Sequence, residues 1–346
     1  MTLRTIVTRL GSLTFLLLWG SCVSQGLTLV RTSTLATIEA EATRAQAQER
    51  ELESRIIGGT VADQRRFPYY TYLDIYYAEL GGFAQCGASL IAPDVVLTAG
   101  HCMIIVRDTT DVTVWVNRTS RYDRANFGFR RKAVNILVHP GYDNVTFAND
   151  IAVIKLGATV LGVPTVQINR NASIPLPNQS LTAIGMGVTS TAIGDFLPDN
   201  LMRVSVMPVS FQICKSYDFF GTLIVRDDQM ICAGGVKDTC YGDSGSPLLV
   251  QGVNAQSDVQ VGITSFGSID GCGIAGAPGV YTRVSHHANW IDKQLCQLSS
   301  FKPTACPSAQ KPSTKPPTRK PLTKPPTRKP TKSPTRKPTK IPTSKP

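Results

Sequence analysis

The sequence predicts an all-β protein of many short strands, finished by one C-terminal helix. Between Ile56 and about Leu298, short apolar or alternating runs are separated by Gly, Pro, Asn and Asp. "ASLIAPDVVLTAG", "DVTVWV", "AVNILVHP", "DIAVIKL" and "QVGITSF" are the clearest, and such runs mark half-buried strands joined by turns. Near the end, "SHHANWIDKQLCQL" places Ala288, Ile291 and Leu295 at helical spacing. The segments on either side have a different composition, so the strand-rich part reads as one body over residues 56–298.

Three other segments frame it. Residues 1–24 read as a secretory signal: Arg4 and Arg9 precede a short apolar run, Leu13 to Trp19, and small residues at Cys22 and Ser24 suit cleavage after Ser24. The run is too short to span a bilayer, and no later run is long enough. Residues 25–55 are rich in Ala, Glu, Gln and Arg. They favour helix by propensity but carry few large apolar side chains to pack, so they read as a pro-segment. Residues 299–346 lead into Lys-Pro-Thr and Pro-Thr-Arg-Lys repeats with no large core residues, the composition of an extended, polyproline-like tail.

The charge follows this division. The formal net charge is +12, and residues 311–346 hold twelve Lys or Arg and no acid, so the rest of the chain balances to zero. Export of the chain permits disulfides. Of nine cysteines one, Cys22, falls in the signal, leaving an even eight. Asn-x-Ser/Thr occurs at Asn117, Asn144, Asn171 and Asn178, which are glycosylation candidates on a secreted surface. A cationic tail without aromatic rings does not suit base stacking, so nucleic acid is not an expected partner. Acidic wall polysaccharide, another anionic matrix or a mineral surface is the expected kind of target, by charge alone, and the alternative is that the tail is a solvated spacer or glycosylated stalk.

The chemistry gathers in a few short stretches. "KDTCYGDSGSPL" sets Ser244 between two glycines, with Asp243 directly before it and Asp238 six residues upstream. Gly-Asp-Ser-Gly is also ordinary turn chemistry. A serine hydroxyl becomes a useful nucleophile only when a base takes its proton and a third group orients that base. The chain has four histidines, His101, His139, His286 and His287, and His101 in "VLTAGHC" follows an apolar strand beside a cysteine. Asp150 in "NDIAVIKL" opens another apolar strand.

Taken together these stretches resemble the chymotrypsin-like, trypsin-fold serine endopeptidases from Ile56 to about Leu298. "RIIGG", "LTAGHC", "NDIAVIKL" and "GDSGSP" occur in that family's order, with "CGASLI" and "HPGYD" between them and "SFG" and "PGVYTRV" after them. The order His, Asp, Ser separates it from subtilisins and α/β-hydrolases. The resemblance implies two packed six-stranded antiparallel β-barrels with the active site in the cleft between them.

It also implies roles. Ser244 would be the nucleophile, His101 the general base and Asp150 its orienting carboxylate, with the backbone N–H groups of Gly242 and Ser244 as oxyanion hole. Asp238 would form the floor of the primary pocket and Gly267 and Gly279 its open walls, selecting Arg or Lys at the bond cleaved. Cleavage after Arg55 would free the α-amino group of Ile56 to pair with Asp243, so the enzyme would be made as a zymogen. Cys86–Cys102, Cys214–Cys232 and Cys240–Cys272 are the pairings implied. Cys296 and Cys306 remain, and can pair with each other.

The sequence departs from the family at three points: Gly100 stands where alanine is usual, Ala88 replaces a glycine, and Ser246 replaces the second glycine of the usual "GDSGG". The segment 117–132, where some relatives bind calcium, has Asp123 as its one acid, so neither metal nor cofactor is expected. The expected protein is a secreted, monomeric endopeptidase acting on proteins or peptides. The alternative is a silent homologue that binds partners or anchors to a matrix.

Overall fold

The structure, a computed structural model, describes residues 57–78, 81–122, 128–189, 197–217, 225–304 and 306. The signal, the pro-segment with Arg55, Ile56, Asp123 and the repeats from residue 307 lie outside the described residues.

Six strands close the first barrel: β2 (Tyr70–Tyr77), β3 (Gly82–Ala92), β4 (Val95–Thr98), β5 (Val112–Val116), β6 (Phe129–Val138) and β7 (Ala152–Leu156). Their order is β2-β3-β4-β7-β6-β5, antiparallel throughout. Alternation explains why they form. In β5, Val112, Val114 and Val116 face the core while Thr113 and Trp115 are only part-buried. β4 is buried at all four positions because it runs through the middle of the molecule.

The second sheet contains β1 (Thr60–Val61), β8 (Gln167–Ile168), β9 (Leu181–Gly185), β10 (Met202–Val206), β11 (Pro208–Val209), β12 (Met230–Ala233), β13 (Pro247–Val250), β14 (Val259–Phe266) and β15 (Gly279–Arg283). Its order is β1-β10-β9-β13-β14-β15-β12-β11, with β8 added beside β14. This ladder is open, which differs from the second closed barrel that the sequence implies. The difference is small. Only Met207 separates β10 from β11, so one run of chain supplies both flanks. Taken as a single strand, it completes a ring of six with β9, β13, β14, β15 and β12. A short helix, α1 (Phe211–Cys214), leads towards β12.

The terminal helix α2 (Val284–Leu298) buries Val284, His287, Ala288, Ile291, Gln294 and Leu295, the face expected from spacing. Disulfides join Cys86–Cys102, Cys214–Cys232, Cys240–Cys272 and Cys296–Cys306. Among the described residues, no helix is long and apolar enough to cross a membrane.

Ordered contacts continue past α2. Ser299 Oγ and the Ser300 N–H donate to the buried Asp94 carboxylate at 2.6 and 2.8 Å, and Lys155 Nζ completes its shell. Burial alone would raise the Asp94 carboxyl, but these partners hold it below the usual carboxylate range. Asp94 thus ties the end of α2 to the first barrel. Asp94→Ala strands all three donors and should lower the unfolding free energy by about 2–3 kcal/mol, read as a lower urea midpoint at unchanged slope.

Candidate active site

The pairing of β4 with β7 brings the first two residues together. Thr98 at the end of β4 lies opposite Ala152 at the start of β7. His101, three residues after one, and Asp150, two residues before the other, therefore emerge at the same end of the barrel. His101 Nδ1 is 2.8 Å from Asp150 Oδ2, and the His101 backbone N–H donates to Asp150 Oδ1 at 2.7 Å. Ser265 Oγ, from β14, adds a bond to Oδ2 at 2.5 Å, and Thr282 Oγ1 donates to the Asp150 carbonyl at 2.7 Å. Burial would raise the Asp150 carboxyl, but the His101 charge and these bonds hold it below its ordinary value. Burial works the other way on His101, yet the Asp150 carboxylate outweighs it, so the imidazole is more basic than usual.

Ser244 sits on the turn between Cys240 and β13. Its carbonyl accepts from Gly87 N–H of β3 at 2.7 Å, and Gly245 N–H donates to Thr264 of β14 at 2.9 Å. The turn is thereby clamped between the two sheets. Asp243, Gly245 and Ser246 spend their N–H groups on Cys240, Thr264 and Asp243 carbonyls. Gly242 and Ser244 N–H take no part in those bonds. Gly242 adopts φ +92°, a conformation that favours glycine, and a Cβ there would lie 2.2 Å from Gln85 Nε2.

Asp243 is fully buried. Its Oδ1 accepts from Gly187 N–H at 2.7 Å and its Oδ2 from Cys240 N–H at 2.9 Å. Burial pushes its carboxyl up to about 6 against those bonds and the nearby Arg121 charge. Two glycines make room for it: a Cβ on Gly185 would lie 2.0 Å from Oδ1, and one on Gly187 would lie 2.6 Å from Cγ. Sequence reasoning missed this "GMG" seat and Ser265. A pair of glycines at a strand end signals a close approach, but not what approaches.

His101 and Ser244 line one cleft of about 460 Å³, together with Asp238, Gly267, Gly279 and Phe147. The other three histidines pack around α2, with His139 and His286 each against His287. Asp238, 3 % exposed, accepts from Thr239 N–H at 2.8 Å. Burial drives its carboxyl up to about 7, and Asp243 adds to the effect. A Cβ at Gly279 would lie 2.6 Å from Asp238 Oδ1, whereas one at Gly267 would meet nothing within 4 Å. Ile57 bridges to Asp238, its carbonyl 3.3 Å from the Asp238 N–H, so the chain just after Ile56 lies beside a residue that lines the cleft.

The family departures have local reasons. A Cβ on Gly100 would lie 3.3 Å from Asp150 Oδ1 and 3.1 Å from Ile151 N. Ser246 is fully buried, and its hydroxyl fills the space over Gly87, whose Cβ would fall 1.9 Å from it. Ala88 is fully buried in β3. Cys86, His101 and Cys102 offer ligand atoms within 4.8 Å of one another, but both sulfurs are spent in a disulfide and offer no thiolate. Of the sequons, Asn144, Asn171 and Asn178 are exposed, while the Asn117 side-chain oxygen is buried.

Comparison with known proteins gives the family. The trypsin family model matches residues 56–291. Proproteinase E of Bos taurus is 34 % identical over 257 residues, covering 70 % of this chain and 95 % of that protein. Hypodermin-B of Hypoderma lineatum is 34 % identical over 244 residues, covering 70 % and 88 %. A trypsin-like protease of Streptomyces glaucescens is 35 % identical over 249 residues, covering 71 % and 84 %. The chain belongs to the trypsin family of serine proteases.

The two glycine environments give a paired test of the site's packing. Gly187→Ala should cost about 2 kcal/mol or more, since its methyl meets the Asp243 carboxylate. Gly267→Ala should stay within about 0.5 kcal/mol of the parent protein. Thermal melts of both variants check the contrast.

Proposed function

We propose that the protein is an endopeptidase that cleaves after Arg or Lys through an acyl-enzyme on Ser244. The observation that carries the reading is Asp238, a carboxylate buried without a cation among the described residues, at the floor of the cleft that holds Ser244 and the His101–Asp150 pair. A long cationic side chain passing Gly267 would bring the missing charge.

In the reaction, His101 Nε2 accepts the proton of Ser244 Oγ as that oxygen adds to the scissile carbonyl. Asp150 keeps the proton on Nδ1 and stabilises the imidazolium. Gly242 and Ser244 N–H groups, spared by the turn, bind the oxyanion. His101 then protonates the leaving amine, and water repeats the sequence to release the acid. In serine proteases that use such a triad, losing the serine or the histidine lowers the rate by about 10⁴-fold or more, and Ser244→Ala or His101→Ala should do the same.

The same reading covers activation and setting. Cleavage of Arg55–Ile56 supplies an α-ammonium to Asp243, whose carboxylate has only backbone N–H donors in direct contact. Ile57 beside Asp238 supports this by bringing the chain start close to the pocket. The protein is secreted after removal of residues 1–24, acts as a monomer, and carries glycans at the exposed sequons. Its tail holds it to an anionic polysaccharide, matrix or mineral surface. A silent homologue is not favoured, since every group with a chemical role is present.

Labelling by a fluorophosphonate at Ser244, followed by a peptide-library digest, tests the reading. Labelling should vanish in Ser244→Ala, the active form should begin at Ile56, and new C-termini should be Arg or Lys. Cleavage mainly after Phe or Leu would refute the pocket assignment.

The pH dependence should separate two groups. His101 must be neutral to act, and its affinity for protons is raised, so turnover should fall as pH drops, beginning above 6.5. Asp238 must be ionised to hold a cation, so the affinity for an amidine should also weaken as pH falls through about 7. An ester lacking a cationic side chain should show only the first effect. Amidine binding unchanged from pH 8 to 6 would contradict Asp238 as the cation's partner.

A further inference from the structure

We infer that Arg121 is a positioning residue for the Gly242–Ser244 turn, acting on Asp243 through the Met186–Gly187 peptide. The inference rests on the proposed reaction at Ser244 and adds to it the group that holds the oxyanion donors in place.

One peptide unit faces both charges. Its carbonyl, on Met186, accepts from Arg121 Nη2 at 2.7 Å. Its N–H, on Gly187, donates to Asp243 Oδ1 at 2.7 Å. A peptide carries a dipole of about 3.5 D, and here it lies with its negative end on the guanidinium and its positive end on the carboxylate. Each bond strengthens the other by polarising the shared amide. Arg121 and Asp243 therefore form an ion pair with a peptide inserted between them.

The guanidinium is held in place on every side. Nη1 donates to Gln85 Oε1 at 2.8 Å and to Tyr72 Oη at 3.1 Å, and Nε donates to the Pro198 carbonyl at 3.2 Å. Gln85 spends its own Nε2 on the same Met186 carbonyl at 3.1 Å. That Nε2 also fills the space behind Gly242, where a Cβ would meet it at 2.2 Å. Arg121 and Gln85 thus touch the turn at two places: Asp243 through the peptide, and Gly242 by direct packing.

The groups that face Asp243 show why a distant cation counts. Tyr70 on β2 and Tyr281 on β15 bring buried hydroxyls, and Asp238 brings a second carboxyl. None of these donates a hydrogen bond to the Asp243 carboxylate. Cys240 and Gly187 N–H do, and Arg121 is the cation that favours the anion. Losing it leaves the carboxylate with its two amide bonds and, after activation, the Ile56 ammonium, and the turn loses part of its anchor.

The test uses activated protein and the variants Arg121→Gln and Arg121→Lys, with active sites counted by fluorophosphonate labelling. Arg121→Gln should lower kcat about tenfold, with KM and amidine affinity changed by no more than about twofold. Binding of a peptide aldehyde, which needs the oxyanion donors, should weaken in parallel with kcat. The acid limb of the rate profile should move to higher pH. Arg121→Lys, which keeps one charged bond to the Met186 carbonyl, should recover part of each loss. Unchanged kcat in Arg121→Gln would overturn the inference. So would equal weakening of amidine and aldehyde with a lowered melting temperature, the mark of a general structural role. Should Arg121→Gln not fold, Arg121→Lys with parent-like stability and no loss of aldehyde affinity relative to amidine would overturn it as well. A parent protein that takes up no fluorophosphonate at Ser244 would instead bring down the protease reading, and this inference with it.

Discussion

A carboxylate with no exposed surface, Asp243, constrains the chain around it more than any other group. Removing an ionised carboxylate from water costs several kcal/mol unless its oxygens are bonded. The second sheet meets this cost with backbone, using the N–H of Gly187 two residues past β9 and that of Cys240 at the start of the turn. Backbone can come that close only where no Cβ intervenes, which dictates glycine at 185 and 187. The same compact turn forces φ +92° on Gly242 and sets Ser244 at its apex. The position of Ser244 is thus a consequence of where an acid was buried.

The first barrel fixes the other half of the site by register. Because β4 and β7 are adjacent and antiparallel, His101 and Asp150 meet at one end although 49 residues separate them. Bonds from Ser265 and Thr282, both on the second sheet, then tie Asp150 across the cleft, while Gly87 N–H ties Ser244 from the opposite direction. A shift of one sheet against the other would break all three. Relative placement of Ser244, His101 and Asp150 is therefore secured by bonds that cross the cleft in both directions.

Much of this was legible in the sequence. The strand runs, the buried face of α2 and the stretches bearing His101, Asp150 and Ser244 are local patterns, and local patterns survive in a string of letters. What escaped depends on contacts between distant segments. Ser265 looks like one more polar residue near a strand end, although its hydroxyl reaches an acid 115 residues away. Arg121 sits in a polar loop that reads as solvated, and its carbonyl target is 65 residues on. The way β10 and β11 complete the second ring was invisible for the same reason, since pairing partners are not written into a strand's own residues.

The buried carboxylates of the molecule divide into two groups, and the division supports the proposed chemistry. Asp94 has Lys155, Asp258 has Arg66 in a two-bond fork at 2.5 and 2.7 Å, and Asp150 has His101. Each of these acids meets a cationic or protonatable partner from within the fold, and each serves to hold fixed parts together. Asp238 and Asp243 differ. Both accept only from backbone N–H groups in direct contact, and burial raises both towards neutrality. A stable fold has no reason to leave two such acids side by side unless the matching charges arrive from elsewhere. On the proposed reading they do: one from the substrate side chain entering the cleft, the other from the chain start freed by cleavage. The lack of a directly bonded cation on each acid is then the free energy that substrate binding and activation draw on.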